Sequence, residues 1–419
     1  MIQRKLVIGT GVENCIVKIL VLNAGSSSQK SRLYETGDSL PDVAPSPLWE
    51  ADADWGQHQG TTTLKVKNNH GATLEEELHT DSRPEVITQM LETLWSGKTR
   101  VIAQASDIDV VGHRIVHGGQ EYEQSTLVTA GVKDAIARLA EIAPQHNPAN
   151  LEGIEAIERI LPSVPQVAVF DTAFHRRMPL PSVVYPGPYA WFEQGIRRYG
   201  FHGISYQYCT QRAAQILGRD VNSMRIIACH LGNGCSAAAI QQGHSIDTTM
   251  GFTPLEGLMM GSRSGSVDPG ILFYLQLQKG QSAADLDTIL NKASGLKGIS
   301  GTSDMRQVLQ NMRGGDSRAR LAFDMFVHRL RFYIGAMLAT LGGVDVFIFA
   351  GGIGENSPEV RAAACEAFAF LGLKLDQQKN SQSPADQDIA GADSSVRVLI
   401  IHTLEDWEIA KECWKLVKK

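Results

Sequence analysis

Residues 16–28 read IVKILVLNAGSSS and residues 225–240 read RIIACHLGNGCSAAAI, and these two stretches decide the fold. In each of them a β-branched apolar run predicts a strand, which ends at a turn of small residues. A second strand-like segment follows each turn, at 31–35 and at 237–240, so both turns are predicted to close β-hairpins. The same strand, turn and strand in two halves of the chain indicate an internal duplication.

Helix and strand patterns alternate in the rest of the chain. Apolar residues spaced three and four apart predict helices over 150–161 and 319–341, and an apolar strand follows each of them, at 167–171 and 344–350. The final segment, 405–419, predicts an amphipathic helix. Alternating strands and helices are typical of an α/β fold, here with mixed sheets.

The composition excludes several classes of protein. A chain of 419 residues predicts two to three domains that can bury cores without disulfide staples. The net charge of -6 argues against nucleic acid or an anionic membrane surface as a partner. No apolar run has the length of a membrane span, the first 20 residues do not resemble a signal peptide, and the six cysteines form no C-x-x-C pair. We therefore expect a cytoplasmic protein.

Three loops of small residues offer backbone N–H groups to phosphate oxygens. The first, 23–30, carries hydroxyls and a lysine but lacks the Walker A pattern. The second, 232–237, fits G-x-G-x-x-A, yet a strand follows it where a dinucleotide site needs a helix, so NAD is excluded. The third, 351–356, stands between a predicted strand and a predicted helix start. Taken alone, the first two loops are more typical of ordinary solvated turns, and the third is equally compatible with an ordinary turn between a strand and a helix.

Four charged residues elsewhere in the chain indicate what kind of reaction these loops serve. Arg114 and Arg263 stand among Gly and Ser residues, where two guanidinium groups are able to clamp an anion. Asp171 ends an apolar strand and Glu405 follows one, and carboxylates at such positions commonly bind magnesium. Phosphate loops, clamp arginines and strand-end carboxylates together describe phosphoryl transfer better than any other class.

Several long motifs identify a family. The strings VLNAGSSSQK, GHRIVHGG, APQHNPAN, FDTAFH, YGFHGISY, HLGNGCS, TPLEGLMMGSRSGSVDPG and AGGIGEN stand in the order and spacing of the acetate kinases. The chain resembles that family from about residue 17 to near its C-terminus. The resemblance implies reversible phosphoryl transfer from ATP to acetate, giving acetyl phosphate and ADP. Magnesium would be the metal, with manganese as an alternative, and the enzyme would be a homodimer.

The resemblance also implies roles for individual residues. Catalytic roles fall on Arg114, Asp171, His202 and Arg263. Acetate would be bound by Arg114, Val116, Phe201 and Pro254, with His146 nearby. ATP would be bound by Asn23, Ser26, Ser28, Lys30, His230, Leu231, Gly232, Asn233, Asp304, Met305, Arg306, Gly352, Ile353 and Gly354. The metal would be held by Asn23, Asp171 and Glu405.

The fold implied by the resemblance is the duplicated ribonuclease-H-like fold of actin, heat-shock chaperones and sugar kinases. Its N-terminal domain would comprise 1–173 with the C-terminal helix at 403–419, and its nucleotide-binding domain would comprise 174–402. A carboxylate is already a nucleophile, so we expect direct in-line attack on the γ-phosphate.

Three departures leave alternatives open. Residues 1–16 precede the usual start of the family, Leu404 replaces a polar residue common before the metal-site glutamate, and Gln145 replaces a leucine that often stands beside the substrate pocket. The last change puts the choice between acetate and propionate in question, so a propionate or butyrate kinase is the first alternative. A catalytically silent nucleotide-binding protein is the second, since this fold also serves such proteins.

Overall fold

The computed structural model describes residues 16–25, 28–55, 60–382 and 385–418. Its strands are β1 (Val17–Ala24), β2 (Ser28–Thr36), β3 (Trp49–Asp54), β4 (Thr62–Asn68), β5 (Thr73–Leu78), β6 (Val110–Ile115), β7 (Thr126–Leu127), β8 (Gln166–Phe170), β9 (Arg225–Leu231), β10 (Cys235–Gln241), β11 (His244–Thr248), β12 (Val346–Ala350), β13 (Gln387–Asp388) and β14 (Arg397–Ile400). Its helices are α1 (Arg83–Glu92), α2 (Ala130–Arg138), α3 (Asn147–Ile160), α4 (Leu180–Val183), α5 (Tyr189–Glu193), α6 (Gly203–Leu217), α7 (Pro269–Lys279), α8 (Ala283–Lys292), α9 (Gly295–Ser300), α10 (Met305–Arg313), α11 (Ser317–Leu341), α12 (Gly351–Asn356), α13 (Pro358–Glu366), α14 (Gln377–Gln382) and α15 (Glu405–Val417).

The first sheet is mixed and has the strand order β5-β4-β3-β2-β1-β6-β8-β7. β1 and β2 form the predicted antiparallel hairpin, in which Asn23 stands opposite Lys30. On its other side β1 pairs with β6 in parallel. Apolar side chains fill both faces of β1 because the strand is interior to the sheet, as its unbroken β-branched run predicts.

The second sheet repeats this arrangement, with the order β11-β10-β9-β12-β14-β13. β9 and β10 form the second predicted antiparallel hairpin, with Leu231 opposite Cys235. The first strand of this hairpin again pairs in parallel on its other side, here with β12. A hairpin whose first strand adjoins a parallel strand therefore occurs in both sheets, as the predicted duplication requires.

The described residues form two compact units, each with its own apolar core. Unit 1 draws its residues from Met1–His113, Glu152–Val167 and Ile409–Lys419, and unit 2 from Arg114–Leu151 and Ala168–Glu408. In unit 1, part of α15 packs on β6, where a Cβ on Gly112 would lie 2.5 Å from the Cys413 sulfur. The domain boundaries implied by the resemblance, 1–173 with 403–419 and 174–402, stay a prediction.

Most predicted elements agree with the structure, but one segment differs. The GGIGEN segment, predicted as a loop before a helix starting near Ser357, is itself the short helix α12. Gly351 makes this possible because its φ of +76° turns the chain sharply at the end of β12. In the part of the chain that the structure describes, no helix has both the length and the apolar character needed to cross a membrane.

Candidate active site

Arg114 and Asp171 meet where β6 and β8 end. The backbone N–H of Asp171 donates to the Ile115 carbonyl at 2.9 Å, which holds the carboxylate beside β6. Arg114 then donates to Asp171 Oδ2 through Nε at 3.1 Å and through Nη2 at 2.5 Å. Burial alone would lower the pKa of Arg114, but Asp171 and Glu405 outweigh it and the pKa is raised. The guanidinium therefore keeps its charge in a largely buried position.

One oxygen of Asp171 is left for a ligand. Oδ1 is buried and has no hydrogen-bond partner, and the residue as a whole is only 1% exposed. A buried carboxylate oxygen without a partner is costly, so such an atom is typical of a site that binds something else. Glu405, the first residue of α15, acts electrostatically on both Arg114 and Asp171. The pair of carboxylates fits magnesium, which usually takes one or two from the protein and the rest of its ligands from water and phosphate.

No larger metal-binding cluster exists among the residues that the structure describes. A group of three or more His, Cys, Asp or Glu side chains able to hold a metal ion does not occur there.

Two histidines stack beside this pair. The rings of His202 and His230 lie 4.2 Å apart between centroids, at an angle of 26°. His202 precedes α6 with a φ of +57°, a left-handed conformation that is uncommon outside glycine and is often found at functional sites. Burial, followed by the positive groups His230, Arg114 and Arg263, lowers the pKa of His202 well below 6.5. His202 is therefore neutral at pH 7.

Serine hydroxyls hold the two rings. His202 Nδ1 lies 2.8 Å from Ser236 Oγ on β10, and His230 Nδ1 lies 2.8 Å from Ser205 Oγ on α6. Each serine has a second hydroxyl partner, Tyr206 at 2.5 Å for Ser236 and Thr403 at 2.9 Å for Ser205. None of these four hydroxyl residues was predicted from the sequence, although Ser205 and Tyr206 stand in YGFHGISY and Ser236 stands in HLGNGCS.

Arg263 and His202 face the glycine turn between β9 and β10. A Cβ on Gly234 would lie 3.4 Å from His202 Nε2 and 3.5 Å from Arg263 Nη1. Arg263 Nη1 also donates to the Pro254 carbonyl at 3.1 Å. Burial lowers the pKa of Arg263, and the charge of Arg114 lowers it further, so the two guanidinium groups act on one another. An anion above this turn would relieve their repulsion.

The second and third phosphate loops adjoin each other in unit 2. Gly232 N donates to the Gly234 carbonyl at 3.0 Å, which closes the β9–β10 turn. A Cβ on Gly351 would approach the Leu231 carbonyl to 2.8 Å, so the start of α12 packs directly on the end of β9. Gly261 N donates to the Asn233 carbonyl at 3.1 Å, which ties the segment carrying Arg263 to the same turn. His230, Leu231, Gly232, Asn233, Gly352, Ile353 and Gly354 are thereby brought together.

Three further residues predicted to bind the nucleotide, Asp304, Met305 and Arg306, lie at the start of α10. Asp304 caps this helix by accepting from Arg306 N at 2.9 Å, and its carboxylate also pairs with the Arg306 guanidinium. Met305 is buried beneath them, at 2% exposure. The carbonyl of Ser303 would lie 3.3 Å from a Cβ on Gly261, so this segment adjoins the loop that carries Arg263.

The predicted acyl pocket has an apolar wall in the core of unit 2. Val116 and Phe201 are 3% and 2% exposed and belong to the same buried cluster. Pro254 contacts Arg263 through its carbonyl, as described above. Gln145 is exposed in the turn before α3.

An ion-pair network that was not predicted from the sequence holds the Pro254 segment. Glu256 accepts from the Tyr185 hydroxyl at 2.5 Å and from Arg198 Nη2 at 2.7 Å. Arg198 Nη1 donates in turn to the Thr248, Thr249 and Met250 carbonyls. The motif TPLEG contains Glu256, but its partners lie far away in the sequence and could not be identified from it.

The first predicted phosphate loop lies in unit 1, at the β1–β2 turn. Asn23 and Lys30 are paired across the hairpin, and Gly25 N donates to the Ser28 carbonyl at 2.7 Å. Ser26, which was also predicted to bind phosphate, lies outside the described residues.

Comparison with known proteins gives a consistent result. A family model described as "Acetokinase family" matches residues 18–411. Proteins called acetate kinase from Trichormus variabilis and Gloeobacter violaceus are 62% and 60% identical to this chain, each over 96% of it and 100% of the relative.

Two solved structures are similar over nearly their whole length. The crystal structure of Porphyromonas gingivalis acetate kinase has a TM-score of 0.86 and 39% identity, covering 96% of this chain and 100% of that one. The crystal structure of a propionate kinase from Francisella tularensis also has a TM-score of 0.86. It is 38% identical to this chain, and the match covers 95% of this chain and 99% of that one. The predicted two-domain α/β fold of the actin and sugar-kinase type, with mixed sheets, is confirmed.

Proposed function

The chain belongs to the acetokinase family, and we propose on this basis that it transfers a phosphoryl group reversibly between ATP and acetate, giving ADP and acetyl phosphate. The observation that carries the proposal is that Arg263 and His202 both face Gly234, and that Arg114 acts electrostatically on both of them. Such an arrangement suits a group that gathers negative charge as it is transferred.

The reaction has one main electrostatic difficulty, which is the approach of two anions. Acetate needs no general base, because its carboxylate is already a nucleophile. Arg114 and Arg263 would bind the carboxylate and the transferring phosphoryl group, cancelling their repulsion and holding them in line. His202, neutral and close to Arg263, would donate a hydrogen bond to an oxygen of the phosphoryl group.

Asp171 and Glu405, with Asn23, would hold the divalent cation, which we propose to be Mg²⁺ with Mn²⁺ as a substitute. When bound, the ion neutralises charge on the phosphate oxygens of the nucleotide. The unpartnered Oδ1 of Asp171 supports this assignment, since magnesium binding would satisfy it. Arg114 holds the other oxygen and so orients the carboxylate.

Nucleotide binding is proposed for the loops around the β9–β10 turn and the start of α12, and for the start of α10. Their small residues let backbone N–H groups approach phosphate oxygens closely. Asn23, Ser26, Ser28 and Lys30 on the first hairpin are proposed as further phosphate ligands.

The choice of carboxylic acid as phosphoryl acceptor can be tested directly. Val116, Phe201 and Pro254 would contact the methyl group, and one methylene more or less changes binding in such a pocket by only about 1–3 kcal/mol. We expect kcat/KM to fall from acetate to propionate to butyrate when the acyl phosphate is trapped as a hydroxamate. A higher value with propionate would make the protein a propionate kinase, and no product with any acid would reduce it to a nucleotide-binding protein.

We propose that the enzyme is a homodimer. Helix α7 buries none of its residues. Four of its large apolar side chains are 47% to 78% exposed, namely Ile271, Phe273, Tyr274 and Leu277. An apolar helix left uncovered marks an interaction surface, and a second copy is the partner that the family implies. Light scattering should give twice the chain mass, and Leu277→Asp should reduce it to one chain mass.

A cytoplasmic location is proposed on two grounds. The reaction uses ATP, which cells hold there, and the five cysteines that the structure describes are all free thiols, as a reducing compartment favours.

A further inference from the structure

The hydroxyls of Tyr206 and Ser236 form a chain that ends on His202. Tyr206 Oη lies 2.5 Å from Ser236 Oγ, and Ser236 Oγ lies 2.8 Å from His202 Nδ1. Tyr206 is on α6, the helix that His202 caps, and Ser236 is on β10, so the chain joins this helix to the second sheet. Both hydroxyl residues are buried, at 1% and 0% exposure.

Counting hydrogens decides the direction of this chain. A buried hydroxyl must donate its hydrogen, and Ser236 Oγ is the acceptor that the structure offers to Tyr206. The hydroxyl of Ser236 must then donate to its other partner, which is His202 Nδ1. A ring nitrogen that accepts carries no hydrogen, so the hydrogen of the neutral imidazole is on Nε2.

Nε2 is the atom that faces the proposed reaction space. It would lie 3.4 Å from a Cβ on Gly234, next to Arg263 Nη1 at 3.5 Å. With its hydrogen on Nε2, His202 is a donor toward that space. With the hydrogen on Nδ1, it would present a lone pair to an anion and repel it.

We propose that Tyr206 and Ser236 are positioning residues which hold His202 in its Nε2–H tautomer, so that it donates to the transferring phosphoryl group. This inference rests on the proposed function for its kinetic consequence, whereas the position of the hydrogen is a property of the protein alone.

Neutron diffraction from crystals of the fully deuterated protein tests the position of the hydrogen. We expect deuterium on His202 Nε2, on Ser236 Oγ toward Nδ1, and on Tyr206 Oη toward Ser236. Deuterium on Nδ1 would overturn the inference whether or not the protein has kinase activity.

Steady-state kinetics test the consequence. Tyr206→Phe keeps the ring and removes the hydroxyl, so Ser236 becomes free to accept from Nδ1 and both tautomers are populated. We expect kcat to fall about three- to tenfold while KM for acetate and for ATP stays within about twofold. Ser236→Ala should lower kcat at least as much.

Tyr208→Phe on the same helix is the matched control. Tyr208 is also buried, but Asp386 and Arg212 are the first charged groups that act on it, and neither of them acts on His202. It should leave kcat unchanged. Equal loss in Tyr206→Phe and Tyr208→Phe, or unchanged kcat in Tyr206→Phe, would overturn the positioning role. Should Tyr206→Phe fail to fold, Ser236→Ala and the neutron map decide the question.

Discussion

Among single residues, Gly234 is the one whose missing side chain matters most for the proposed site. Its missing side chain leaves open the space that His202 and Arg263 border, at 3.4 and 3.5 Å from the position a Cβ would take. Those distances are ordinary van der Waals contacts, and the φ of Gly234 is not in the left-handed region. A methyl group would therefore fit the fold but occupy the place proposed for the phosphoryl oxygens.

Gly234→Ala should accordingly separate activity from stability. We expect kcat/KM to fall by at least about tenfold, with the free energy of unfolding unchanged or raised by up to about 1 kcal/mol. Activity assays and urea unfolding measure the two quantities. Gly153→Ala in the middle of α3, where nothing lies within 4 Å, is the control and should raise stability without affecting activity. Wild-type activity in Gly234→Ala would contradict the proposed position of the substrate.

Arg263→Ala should remove a charge that is needed chiefly in the transition state. By analogy with arginine fingers we expect kcat to fall by about 10³ or more, which corresponds to about 4 kcal/mol. KM for acetate and ATP should change far less. A loss of kcat below tenfold in steady-state assays would exclude Arg263 from catalysis.

Among the secondary-structure elements, the long helix α11 shows how local signals fix both ends of a helix. Asp316 caps α11 by accepting from Arg318 N at 2.8 Å and Ala319 N at 3.1 Å. The helix ends at Gly342, whose φ of +63° suits the left-handed turn that stops it. Both signals are local, and for this reason the sequence predicts the extent of α11 to within two residues.

Asp316→Ala should cost about 1 kcal/mol of stability, because two N–H groups lose their acceptor. Asp324→Ala, at an exposed position within the same helix, should change stability by no more than about 0.5 kcal/mol. Urea unfolding compares the two variants. Since α11 carries none of the predicted site residues, kcat should stay unchanged, and equal stabilities would rule out the capping role.

At the scale of the whole molecule, buried histidines make folding depend on pH. Burial lowers the pKa of His113, His117 and His175 to about 4 from an ordinary value of 6.5. Between these values the unfolded chain binds protons that the folded protein excludes, so stability falls as the pH falls. The loss begins near pH 6.5 and is complete below pH 4.

We therefore expect the free energy of unfolding to be greatest above pH 7 and to decrease by on the order of 3 kcal/mol per buried histidine toward pH 4. Chemical unfolding at several pH values measures this slope. His113→Gln should reduce it, whereas replacement of the exposed His70 by Gln should not. A stability independent of pH between 7 and 4.5 would show that these histidines take up protons without unfolding.

The hairpins, the long helices and the family can be predicted from the sequence, because each depends on residues that are near one another in the chain. For the same reason His230 and Gly234 can be placed at one turn. The pairing of Arg114 with Asp171, 57 residues away, and the contact of Ser236 with His202 could not be predicted in this way. Those contacts depend on strand order and register, which bring distant side chains to the same edge of a sheet.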